Sequence, residues 1–229
     1  MFSLDAGDYK HEAEVQNRMT LDPDEFVETI EEENRTPLSR LGSSKALYAD
    51  TQGEMETDEV LRAAATAEYA AKETFETWAE NESGDAADAY RESAAEEQEH
   101  YETVVGALDE YDSDMGTLPS IQAYLRDLDD TITRTGGFVG RTLAAEKSKE
   151  QMTAFFVGEA DPQTSQLFRS MGDDLDAQLE RGLALLETHC ESDDDRERAL
   201  ESASGAIQAA YDEYTERLED MGVNPKPVC

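Results

Sequence analysis

Basic residues are scarce in this chain of 229 residues. Lysine and arginine together number 19 against 55 aspartates and glutamates, which gives a formal net charge of −36 at pH 7. Such a surface repels the phosphates of nucleic acids and the headgroups of anionic lipids. We therefore expect no direct binding of nucleic acid and no association with a membrane.

The acidic excess also indicates the salt concentration in which the protein is stable. A folded chain with this charge repels itself unless salt screens it, and at about 1 M salt the screening length falls to roughly 3 Å. Only 6 of the basic residues are lysines. The composition resembles that of haloarchaeal proteins and predicts a halophilic, cytoplasmic protein in a high-salt cytoplasm.

Cysteine and long apolar runs are scarce as well. The two cysteines, Cys190 and Cys229, form no CxxC pair, which excludes a zinc ribbon and a rubredoxin-type iron site. A disulfide between them is not expected in a cytosolic chain. No apolar run has the length of a membrane span, and the first residues do not have the pattern of a signal peptide.

Apolar residues recur at intervals of three and four through most of the chain, and no segment alternates as a strand does. This pattern predicts an all-α protein. Residues 1–18 lack the pattern and are expected to be a disordered extension, with short helices in 19–57, a four-helix bundle in 58–188 and a further helix with a tail in 189–229. The predicted helices cover 22–34, 36–50, 57–81, 85–110, 120–158, 163–188 and 196–221, and "TGG" at 135–137 is expected to kink or break the fifth of them.

An internal repeat supports the bundle. Residues 66–78 align with 144–156 at an offset of 78, which places Glu68 opposite Glu146. Two helix hairpins of one design predict a four-helix bundle that arose by duplication.

Polar side chains interrupt the stripes that should face the interior. Glu97 and His100 fall at core positions of the second long helix, Glu68 in the first and Glu146 in the third. An unpaired buried carboxylate costs several kcal/mol or becomes protonated. A metal ion is the usual reason for three carboxylates and an imidazole to converge.

Glu68 together with Glu97-x-x-His100 resembles half of the carboxylate di-iron site of the ferritin-like superfamily. The stretches "AEYAAKETF" and "RESAAEEQEHYETV" resemble its rubrerythrin branch, here of a haloarchaeal type without a rubredoxin domain. The resemblance covers about residues 58–188. It implies a ferritin-like fold, a homo-oligomer, and iron held by Glu68, Glu97, His100 and Glu146. An active site of this kind would oxidise Fe(II) with peroxide or oxygen, as a non-haem iron oxidase or peroxidase, with an electron donor that the residues do not identify.

The fourth helix departs from the family pattern. The offset of 78 places Leu175 and Gln178 where the second glutamate and histidine should stand, and a slip by one residue offers Asp174 but then Ala177. We therefore expect a degenerate, asymmetric site.

Charge then predicts how many ions bind. Three carboxylates are balanced by one divalent ion and by Lys149, with Glu146 shared between the metal and the lysine. The expected cofactor is thus one iron per chain rather than two, or none.

Three alternatives remain open. The second long helix could be mis-phased, with Glu97 and His100 in solvent. Glu68 and Glu146 could instead form a structural ion pair, with Lys149 as the partner, or a carboxyl–carboxylate hydrogen bond. The bundle could also have lost its metal and serve as a non-catalytic regulatory or structural interaction protein, linked to transcription only through a protein partner.

Overall fold

The computed structural model describes residues 22–108 and 117–225, and within these ranges the chain forms nine α-helices and no strand. The all-α prediction is therefore confirmed, whereas residues 1–18 lie outside the described residues. The helices are α1 Pro23–Glu33, α2 Arg35–Leu41, α3 Ser44–Asp50, α4 Thr57–Asn81, α5 Gly84–Gly106, α6 Ser120–Arg126, α7 Thr131–Gly158, α8 Pro162–His189 and α9 Asp193–Asp220. Each helix of the described ranges is too short or too polar to span a bilayer.

Two antiparallel hairpins form the centre of the molecule. The helices α4 and α5 pack against each other along their length, as do α7 and α8, while α5 and α8 join the two hairpins. The turn between α7 and α8 is fixed by Asp161, whose side chain accepts hydrogen bonds from the backbone N–H groups of Gln163 and Thr164, with Pro162 in the first turn of the helix. The last helix, α9, packs along α7. The helix α6 and the short helices α1, α2 and α3 also contact α9.

The spacing of apolar residues predicts one interior stripe on each of α4, α5 and α8. The predicted positions are Leu61, Ala65, Glu68, Phe75 and Trp78 on α4, Tyr90, Ser93, Glu97, His100, Val104 and Ala107 along α5, and Phe168, Met171, Leu175, Gln178, Gly182 and Leu185 on α8. All of them are buried except Ala107, which lies beyond the end of α5 and is exposed. One end of the bundle is filled by an aromatic cluster in which Phe138 meets both Phe75 and Tyr90 edge to face. The hydroxyl of Tyr90 also lies 2.9 Å from that of Thr135, so its polar end is satisfied. This packing holds α4, α5 and α7 together below the polar cluster described next.

The segment 120–158 breaks in a different place from the one predicted. The helix ends at Arg126 and resumes at Thr131, where Asp130 caps the new helix, and it then continues through Thr135–Gly137. A β-carbon on Gly136 or Gly140 would lie 2.2 or 2.1 Å from the carbonyl oxygens of α9. These glycines therefore allow the backbones of α7 and α9 to approach closely, rather than breaking the helix.

Candidate metal centre

Three potential metal ligands meet inside the bundle. Glu68 comes from α4, and Glu97 and His100 lie one turn apart on α5. Both carboxylates have no exposed surface and His100 is 4% exposed. The alternative in which Glu97 and His100 face solvent is therefore wrong.

The ligand atoms of these three residues lie within 4.8 Å of one another. The Nδ1 atom of His100 is 3.7 Å from Oε2 of Glu68 and 3.9 Å from Oε2 of Glu97. None of the three atoms has a hydrogen-bond partner among the described residues. Buried polar atoms are almost always satisfied, so three such atoms facing one point indicate a place for a cation.

The other ring nitrogen of His100, Nε2, contacts an exposed residue outside the ligand cluster. Nε2 lies 2.9 Å from Oδ2 of Asp174 on α8, whose side chain is 52% exposed. A carboxylate accepts, so Nε2 carries the hydrogen, and Nδ1 faces the two glutamates. A bare lone pair on Nδ1 would repel their oxygens. Either a proton or a metal ion must therefore stand between the imidazole and the carboxylates.

In the absence of a metal ion, a proton on Nδ1 lies between the imidazole and the two carboxylates. Burial alone would lower the pKa of His100, but the neighbouring Glu68 and Glu97 carboxylates outweigh burial and raise that pKa to about 10. The metal-free site thus holds an imidazolium at neutral pH, and a metal ion must displace its proton.

Two buried basic side chains occupy the opposite side of the cluster. Lys149 donates to Oε1 of Glu68, and Arg141 donates to Oε1 of Glu97 at 2.8 Å. The amide of Gln178 donates to the same Glu97 oxygen at 2.9 Å. Each glutamate therefore has one oxygen bound to a cationic side chain and one oxygen directed at His100. Although burial raises the pKa of Glu97, the Arg141 guanidinium and His100 hold it well below its usual range.

Glu146, the fourth predicted ligand, is not brought into this group. It is half-buried on α7, where burial together with Asp176, Glu150 and Glu31, partly offset by Lys147, raises its pKa to about 7. The contacting pairs Glu68–Lys149 and Glu97–Gln178 are both separated by 81 residues, three more than the predicted offset of 78. Three residues are nearly one helical turn, so Lys149 stands opposite Glu68 and Glu146 lies one turn away.

The sequence analysis predicts neither the role of Arg141 nor the hydrogen bond between His100 and Asp174. Arg141 precedes Lys149 by eight residues, which places both basic side chains on one face of α7. This spacing is the feature of the sequence from which a second basic residue in the site could have been predicted. Asp174 could be found only as an alternative to Leu175 on α8, and its contact with α5 requires the packed structure.

The distances from His100 to the two glutamates are compatible with a shared metal ion. Two donor atoms bound to a single ion at about 2.1 Å each can lie up to about 4.2 Å apart, and the distances from Nδ1 to the two carboxylate oxygens fall within this limit. One imidazole and two carboxylates suit iron, manganese or zinc. The half-site on α7 and α8 offers Arg141, Lys149 and Gln178 instead, and two fixed cations oppose a second ion.

No protein-family model matches the chain, and no match is found among curated proteins or among solved structures. The function of the chain is therefore inferred from the geometry of this site.

Proposed function

We propose that the protein binds one divalent metal ion, iron in the cell, through Glu68, Glu97 and His100. The observation that carries this proposal is the convergence of three buried, unpartnered atoms, Nδ1 of His100 and one oxygen of each glutamate. The protein would then be a ferritin-like protein of the rubrerythrin type in which the two-ion site has been reduced to one.

The residues of the chain divide the work of such a site. Glu68 and Glu97 supply charge, and His100 supplies a nitrogen whose orientation is fixed by Asp174. An outer carboxylate of this kind fixes the tautomer of a ligating histidine and raises its basicity. Lys149 and Arg141 hold the far oxygens of the glutamates, which restricts each glutamate to one oxygen for the ion.

Iron bound here would supply one-electron redox chemistry, which oxygen or peroxide could drive. The site is enclosed, because none of the three ligands is more than 4% exposed. The proposed chemistry is accordingly the oxidation of bound Fe(II) by a small oxidant.

Anaerobic calorimetric titration with Fe(II) tests the proposal. The full-length protein in molar KCl should bind one ion, and His100→Ala should lose that binding. His189→Ala is the matched control, because His189 is paired with Asp85 at the surface, far along the chain from the site. Equal binding by the parent protein and by both variants would contradict the proposed ligands.

A second candidate function rests on the buried ion pairs. Lys149 with Glu68 and Arg141 with Glu97 already balance the two interior carboxylates, and an imidazolium at His100 pairs with Asp174. This arrangement needs no metal and favours a structural or regulatory interaction protein built on a metal-free remnant of the site. Absence of bound ion in the same titration, with the protein folded, would select this function.

A further inference from the structure

A cavity of about 940 Å³ lies between α4 and α7, with α3, α6 and α9 completing its walls. Neither Glu97 nor His100 lines it, although Glu68 and Lys149 do. The volume is at the upper end of the range for small-molecule sites. The cavity therefore adjoins the metal centre at Glu68 and extends away from Glu97 and His100.

Small side chains create this space. Among the longer side chains that α4 and α7 contribute to the walls, six residues reach only one or two atoms beyond the backbone. They are Ala63, Thr66 and Ala67 on α4, and Ala144, Ala145 and Ser148 on α7. These small residues leave a channel between the two helices, and their methyl groups offer an alkyl chain an apolar strip within a lining that is otherwise mixed.

One buried acceptor in the wall has no partner. Gln122 on α6 is 3% exposed and lines the cavity, and its Oε1 accepts no hydrogen bond from the described residues. A buried carbonyl oxygen left in this state costs free energy until a donor reaches it. The ligand that fits must therefore carry an N–H or O–H group.

The charges around the cavity decide between those donors. Its basic side chains are all engaged with carboxylates, in the pairs Lys149–Glu68, Arg141–Glu97, Arg62–Glu59, Arg217–Asp50 and Arg217–Glu213. Glu54, Glu216 and Asp220 also line the cavity, are exposed, and form no ion pair within the described residues. The mouth thus carries uncompensated negative charge, which attracts cations and repels anions.

The geometry points to an elongated organic cation, a linear diamine or polyamine, as the ligand of this cavity. One ammonium group donates to Oε1 of Gln122, the methylene chain lies against the small side chains of α4 and α7, and a second ammonium group meets the carboxylates at the mouth. This binding does not require the proposed metal ion, because its polar contacts are with Gln122 and the carboxylates at the mouth and not with Glu68, Glu97 or His100.

Calorimetry with three probes of equal length tests this ligand class. The full-length protein in about 1 M KCl is titrated with 1,6-diaminohexane, 1,6-hexanediol or hexanedioate, since this salt concentration suppresses non-specific attraction to the acidic surface. The diamine should bind with one molecule per chain, the diol about tenfold more weakly or worse, and the dicarboxylate not at all. Equal affinity for diol and diamine, or no binding of the diamine, would overturn the proposal.

Two variants and a control locate the binding. Gln122→Met keeps the length of the side chain but removes the acceptor, and should weaken diamine binding about tenfold or more, the value of one hydrogen bond to a charged group. Ala67→Leu fills the channel and should weaken it at least tenfold. Gln98→Met, which alters a glutamine bonded to Glu102 on α5, should change nothing. Retention of full affinity in both cavity variants, each shown to be folded by circular dichroism, would assign the binding to the acidic surface instead.

Discussion

The two hairpins of the bundle place opposite charges at the same level of the interior. The α4–α5 hairpin contributes Glu68, Glu97 and His100, whereas the α7–α8 hairpin contributes Arg141, Lys149 and Gln178. Three hydrogen bonds between the hairpins, Lys149–Glu68, Arg141–Glu97 and Gln178–Glu97, join these residues. A bundle with two metal ions would place the second ion between α7 and α8. Here the side chains of Arg141 and Lys149 supply two positive charges at that position, and the α4–α5 hairpin carries the ligands for one metal ion.

The difference shows how a helical bundle can balance buried carboxylates with fixed cations. An unpaired buried carboxylate costs several kcal/mol. Here a basic side chain on the opposite hairpin supplies the balancing charge for each glutamate. In this account the charge of Lys149 and Arg141 is a structural requirement, and that of Glu68 and Glu97 is both structural and functional.

The largest effect is expected from removing the lysine. Lys149→Met leaves Oε1 of Glu68 buried without its cation, and breaking a buried pair from one side costs about 3–5 kcal/mol. Chemical denaturation in molar KCl measures the loss. Lys147→Met is the control, since Lys147 forms only a partly exposed pair with Glu150 and should have little effect. A loss below about 1 kcal/mol for Lys149→Met would show that the two hairpins are not coupled by charge.

The same pair can be removed from both sides. In Glu68→Gln with Lys149→Met, no buried charge is left unpaired, so we expect much of the lost free energy of unfolding to return. Additive losses in the double variant would mean that the two side chains act independently.

A smaller effect is expected at the outer carboxylate of the ligand hairpin. Asp174→Ala removes the acceptor that fixes Nε2 of His100 and should weaken metal binding about 10- to 100-fold. The fold should be little affected, because the Asp174 side chain is 52% exposed. Competition titration against a chelator measures the affinity. Asp173→Ala, at the exposed neighbouring position, should retain it, and equal affinities in the two variants would remove Asp174 from the account.

The smallest effect concerns Glu146, which stands outside the cluster. Burial raises its folded-state pKa from about 4.5 to about 7, so the folded protein favours the protonated form. The free energy of unfolding is therefore reduced as the pH rises from about 4.5 to about 7, and it stays reduced above that range. Glu146→Gln should remove this contribution and raise the melting temperature at pH 8 more than at pH 4.5.

Metal binding should be unchanged in Glu146→Gln, since its carboxylate is not among the converging ligand atoms. The control is Glu150→Gln, an exposed position on the same helix. A metal affinity that falls only in Glu146→Gln would restore Glu146 to the site.

The interior faces of α4, α5 and α8 could be predicted from the sequence, because each of these helices has a polar outer face that leaves one apolar stripe. Glu97 and His100 stand out on α5 for this reason. The phase of α7 could not be predicted in the same way. Residues 135–144 are buried without interruption, between α8 on one side and α9 on the other. A helix buried all round has no polar face to fix its rotation, and the repeat alignment then selected Glu146 one turn before Lys149.

The prediction of a kink or break at the glycines of α7 was wrong for a related reason. Glycine in a helix signals either a break or a close approach of another backbone, and the sequence does not distinguish the two. Gly136 and Gly140 serve the close approach to α9, a contact that depends on a helix some 60 residues later in the chain. The true interruption, at residues 127–130, contains neither glycine nor proline.

Anomalous X-ray diffraction from crystals grown with Fe(II) or Co(II) tests the single-ion site most directly. A single-ion site predicts one anomalous peak per chain, bounded by Nδ1 of His100 and by one oxygen each of Glu68 and Glu97, with Lys149 and Arg141 still bonded to the other oxygens. A second peak beside Lys149 or Gln178, or no peak within the bundle, would contradict it.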